Sequence, residues 1–134
     1  MRDAEFLAAL EDANLPPASF RHAGHLRAAY LYLTQSGFEG AITRMRAALI
    51  RYATAQGRPG LYHETVTLAF LALVNERLHS GAAPDWESFA AGNCDLFDKR
   101  ILSRYYRPDT LDSPLAREVF VLSRLGDLEP KIDR

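Results

Sequence analysis

Ser19 to Leu33, SFRHAGHLRAAYLYL, is the stretch whose reading decides the fold. Phe20, Ala23, Leu26, Tyr30 and Leu33 recur at three- and four-residue spacing, which makes one apolar helix stripe, and Ser19 stands where an N-cap belongs. Gly37 supplies a left-handed terminator. The same helix carries His22 and His25 on one face, because three residues turn an α-helix through about 300°.

Toward the N terminus, Phe6, Leu7 and Leu10 mark a short first helix, with Asp3 as the expected N-cap and Asn14-Leu15-Pro16-Pro17 as the stop. Toward the C terminus a third helix runs from about Phe38 to Gln56 with Ile42, Met45 and Leu49 inward, and Gly57 ends it. Pro59-Gly60 makes a turn, and a fourth helix from near Tyr62 continues through Val66, Phe70, Leu73 and Leu78 to Gly81. Its broad apolar face predicts a central place.

Beyond Gly81, Asp85 can cap a short piece carrying Trp86 and Phe89, and Leu96, Phe97, Ile101 and Tyr105 mark another helix. Ser113-Pro114 opens the last one, with Leu115, Val119, Phe120 and Leu122 as its stripe, and Gly126 to Arg134 reads as a tail. No alternating apolar run bounded by hairpin chemistry occurs. The expectation is one all-α domain over residues 1–134, a compact bundle of six or seven short helices with the second and fourth in the middle.

Hydrophobic residues at 48%, charged residues at 25% and a net charge of −1 are those of an ordinary globular chain, with no global pull toward nucleic acid or membrane. Cys94, the single cysteine, excludes an intramolecular disulfide and a cysteine-based zinc site, and reads as a small buried hydrophobe. The opening MRDAEFLAALEDA is too acidic and too interrupted for a signal peptide, so a cytoplasmic location is expected. A homodimer is a further expectation, because short Leu- and Ala-rich helices can leave an apolar face uncovered.

Three of the four histidines fall in two stretches, since His63 and Glu64 open the fourth helix in YHETVT. Neutral imidazoles from His22, His25 and His63 would suit a divalent transition metal such as Zn, Fe or Ni. Glu64 would be a fourth ligand, a carboxylate that orients a ligand imidazole, or the base for metal-assisted hydrolysis. Adjacent helical residues point about 100° apart, so in a regular turn one of His63 and Glu64 is auxiliary. The rival reading is a metal-free helical interaction or small-molecule-binding module in which the same groups form a hydrogen-bond cluster. No phosphate loop, nucleophile elbow or dinucleotide fingerprint names a substrate.

Elsewhere, Asn93, Asp95 and Asp98 lack the glycine and terminal glutamate of a calcium loop, and Asp95 with Lys99 fits a helical ion pair. Arg100, Arg104, Tyr105, Tyr106 and Arg107 form a basic aromatic cluster that more often offsets a helix dipole than binds an anion. The spacing F-x-H-x-x-H-L at Phe20–Leu26, followed by Y-H-E-T at Tyr62–Thr65, resembles a pattern of small uncharacterised bacterial all-helical proteins. The resemblance covers about the middle third of the chain and implies that the two motifs belong together, without attaching an activity.

Overall fold

The computed structural model describes residues 1–81 and 83–123. They form an all-α bundle: α1 (Asp3–Glu11), α2 (His22–Ala55), α3 (Glu64–Ser80), α4 (Trp86–Gly92), α5 (Pro108–Leu111) and α6 (Pro114–Glu118). Single 3₁₀ turns at Pro17–Ser19, Pro59–Leu61, Cys94–Phe97 and Lys99–Arg104 join them. The tail expected at 126–134 lies outside the described residues. Among the described residues no helix is long and apolar enough to cross a membrane.

The long α2 is two helices. Gly37 sits at φ +72°, ψ −179°, a region that a side chain makes costly, and splits α2 into arms 22–36 and 38–55. With the arms counted separately, the described residues hold seven helical segments. The chain folds back at Gly37: the Arg44 guanidinium lies 4.5 Å over the Tyr32 ring, and Tyr52 meets Phe20 at 5.0 Å between ring centres. A straight helix would hold that second pair about 48 Å apart. A Cβ at residue 37 would touch nothing within 4 Å, so the demand for glycine is conformational.

Local chemistry sets most of the remaining boundaries. Gly57, at φ +73°, closes the second arm: its N–H donates to Thr54 and that of Arg58 to Ala53, both at 2.9 Å. Asp85 caps α4 through the Ser88 N–H, and Ser113 caps α6 through that of Ala116. α1 ends in the same hydrogen-bond pattern as the second arm, with Ala13 taking the left-handed position at φ +59°.

α2 and α3 form the centre, and the core unites Leu10, Leu26, Tyr32, Leu71, Val74, Phe89 and Leu96, all under 2% exposed. Several expectations are corrected. Arg2 precedes α1 at the N-cap, with Glu5 accepting its N–H, while Asp3 pairs with Arg27 at 2.7 Å. Ser19 belongs to a 3₁₀ turn, and α2 starts at His22 without a side-chain cap. Cys94 is exposed, and Asp95 pairs with Arg77 in preference to Lys99. Leu96, Phe97, Ile101 and Tyr105 lie on 3₁₀ turns or just beyond, where the tighter winding buries Leu96, Ile101, Leu102 and Tyr106 while Tyr105 stays exposed. Finally, α6 stops at Glu118, and Leu115, Val119, Phe120 and Leu122 are exposed while Ala116 and Val121 pack inward.

Candidate functional site: a two-lobed cleft around His25

The two histidine stretches meet. One lobe of a cleft, about 360 Å³, lies between Phe20, Tyr52, Leu61 and His63. A second, about 460 Å³, lies between His22, Met45, Phe70 and Lys99. His25, Leu49, Val66 and Thr67 line both, so the lobes are neighbours that share these four side chains as a waist, set between the two arms of α2 and the first turn of α3.

The histidines do different work there. The His22 Nε2–H donates to the Leu96 carbonyl at 2.8 Å, tying the first arm to the turn at Cys94–Phe97. His63 uses both nitrogens: Nδ1 accepts the Val66 N–H at 3.2 Å as the N-cap of α3, and Nε2–H donates to the Leu111 carbonyl at 2.7 Å. Those partners fix its tautomer, with the proton on Nε2. His25 is the third kind. Its ring stacks on Phe20 at 4.2 Å with 24° between planes, and among the described residues it makes no hydrogen bond.

Glu64 lines neither lobe. Its carboxylate takes two hydrogen bonds from the Arg46 guanidinium on the second arm and one, at 2.5 Å, from the Tyr62 hydroxyl. Arg46 first, then Tyr62, hold its pKa below the usual carboxylate range, while burial and that bond push the Tyr62 phenol up to about 12. A carboxylate so held keeps its charge and makes a poor proton acceptor. Thr65, fully buried, completes the motif: its hydroxyl donates to the Val119 carbonyl at 2.9 Å and accepts the Val121 N–H at 3.1 Å. Tyr62, His63, Glu64 and Thr65 thus fasten the start of α3 to the second arm, the end of α5 and the extended segment after α6. Spacing alone gave Thr65 no role, and its partners lie 54 and 56 residues away.

Among the described residues no group of three His, Cys, Asp or Glu side chains is placed to hold one metal ion. His22 and His25 are neighbours, close enough for a charge on one to disfavour a charge on the other. His63 could join them only by giving up the Leu111 carbonyl or the α3 cap. The basic aromatic cluster is also spoken for: Arg100 pairs with Asp98, Arg104 with Asp95 and Arg107 with Asp109, and the Tyr106 hydroxyl donates to the Val121 carbonyl.

His25 is wetted by the cleft, yet apolar walls crowd it. Desolvation by those walls lowers its pKa to about 4, with repulsion from His22 and Lys99 adding to it. His22 is lowered as well, chiefly by burial, against the opposing pull of its bond to the Leu96 carbonyl. His25 is therefore neutral at pH 7, one ring nitrogen a donor and the other an acceptor.

A pH dependence follows. The unfolded chain binds the His25 proton near pH 6.5 and the folded chain only near 4, so between those values the unfolded state holds more protons. Stability should be unaffected by this group above about pH 6.5 and fall as the pH drops toward 4. Urea titrations of the protein and of His25→Phe across that window check it: the variant should lose less stability on acidification, and equal losses would place the sensitivity elsewhere. No family model, curated protein or solved structure matches this chain.

Proposed function

We propose that the protein is a small-molecule-binding module whose ligand occupies the two-lobed cleft and takes a hydrogen bond from, or gives one to, His25. One observation carries the reading. Of the three histidines in the two motifs, His25 alone makes no side-chain hydrogen bond among the described residues, and it lines both lobes. Concave, mainly apolar walls with a few converging polar groups are the usual make-up of a ligand site.

A second reading is favoured by the closeness of His22 and His25: a two-imidazole site for a divalent transition metal such as zinc, iron or nickel, its remaining positions filled by ligand or water. His22 would bind through Nδ1, since its Nε2–H serves Leu96. In that reading a hydrolytic step needs a base other than Glu64, which Arg46 and Tyr62 already occupy.

One fluorescence titration separates the readings. The neutral apolar probe phenylnaphthylamine should bind saturably to the metal-free protein, and Val66→Trp, which fills the waist, should weaken it at least fivefold. Leu115→Trp, on an exposed position, should leave it unchanged. Unsaturable binding, or binding indifferent to Val66→Trp in a folded variant, would overturn the cleft reading. Repeating the titration with nickel tests the second: metal uptake lost in a His22→Ala, His25→Ala double variant supports it, and no uptake rejects it.

A further inference from the structure

The charged side chains that line the cleft are all cations, while Asp98 acts on His22 from outside the lining. Neither lobe is lined by an aspartate or a glutamate, whereas Arg58 lines the first lobe and Arg21 and Lys99 line the second. Among the described residues these three cations hold no carboxylate and no carbonyl. The other arginines there, Arg2 aside, each hold one or the other: Arg51 reaches the Glu11 carbonyl, Arg117 that of Gly60, and the rest form ion pairs. Among the described residues, the arginine and lysine side chains without such a partner, Arg2 aside, thus line this cleft.

The second lobe concentrates this charge. Arg21 and Lys99 line it together with His22, Leu26, Met45 and Phe70. Lys99 depresses the protonation of both His22 and His25, so the positive field reaches the waist. A cleft lined this way favours an anion over a cation, and its apolar walls favour a body that covers them.

We infer that the ligand is an organic anion with an apolar body, of the alkyl- or aryl-carboxylate kind, its head held between Arg21 and Lys99 and its body laid past His25 toward the first lobe. This assignment rests on the small-molecule reading of the cleft and narrows its ligand class. Guanidinium and ammonium groups that meet a carboxylate form charge-assisted bonds, which a hydroxyl of the same chain length cannot match. The imidazole of His25 would meet a polar group carried on that body, which octanoate and octanol both lack, so it discriminates little between the acid and the alcohol.

Octanoate and octan-1-ol, titrated by calorimetry at pH 7.5 and low salt, test the assignment. Octanoate should bind about tenfold more tightly than octanol, the factor expected of one charge-assisted interaction, and the advantage should shrink as salt rises. In Arg21→Gln with Lys99→Gln the two affinities should come within about twofold, because octanoate weakens while octanol does not. Both residues are exposed and, among the described residues, their side chains make no hydrogen bond or ion pair, so the variant should fold as the parent does. Equal binding of both compounds by the parent, or a preference that survives the double substitution, would overturn the anion assignment and leave the cleft reading standing. Binding of neither would overturn both.

Discussion

Replacing Phe89 with alanine should destabilise the protein by about 3–5 kcal/mol, the range for removing an aromatic ring from a packed interior. Phe89 is 1% exposed, lies 5.2 Å from Tyr30 and 6.1 Å from Trp86 between ring centres, and is the one buried side chain of α4. Its ring is therefore the main attachment of α4 to the first arm of α2, and collapse around the void is opposed by Tyr30, whose hydroxyl is held by the Ala83 carbonyl at 3.0 Å. Trp86, the sole tryptophan, reports directly on this neighbourhood. Urea unfolding followed by its fluorescence, and in parallel by far-ultraviolet circular dichroism, reads the loss. A cost under about 1 kcal/mol would mean that α4 is only loosely seated, since even one buried methylene is worth nearly that much.

Thr65→Val should cost about 2–3 kcal/mol although it keeps the shape of the side chain. The substitution strips the Val121 N–H of its acceptor and the Val119 carbonyl of a donor, at a position with no access to water. A buried donor without a partner carries its full desolvation penalty, about 1–3 kcal/mol, whereas an intact hydrogen bond contributes far less than that to net stability. Thr65→Ser, which retains the hydroxyl and drops a methyl, should be milder. Amide exchange at Val121 gives a site-specific reading: it should accelerate in the valine variant and stay slow in the serine variant. If serine proved the more damaging of the two, packing would be the role of Thr65 and its hydroxyl incidental.

The legible parts of this chain were those whose cause is local. Gly37 and Gly57 terminate helices because glycine alone takes their torsions cheaply, and Asp85 and Ser113-Pro114 start helices because their oxygens reach an N–H three residues on. His25 shares one lobe with His63 and the other with His22, a nearness that two helices with a histidine near each start allow. What each imidazole does there was not foreseeable. His22 and His63 are claimed by the carbonyls of Leu96 and Leu111, 74 and 48 residues away, and no spacing announces such partners. Val119 and Leu122 looked like a helix stripe because the sequence cannot show that Thr65 takes the Val121 amide. For a related reason no spacing groups Arg21, Arg58 and Lys99, since scattered single cations acquire meaning only when the fold puts them beside one cavity.

The break at Gly37 has a mechanical consequence. His25 and Leu49 each stand twelve residues from it, one on either arm, so each sits about 18 Å out along a lever whose fulcrum is a single pair of torsions. Swinging one arm by about 5° would change their separation by about 1.5 Å, enough to admit or shut out a methyl-sized group. The gap between His25 and Leu49 thus depends on torsions at the far end of the hairpin, and under the proposed small-molecule reading a substitution there would show itself first as altered selectivity.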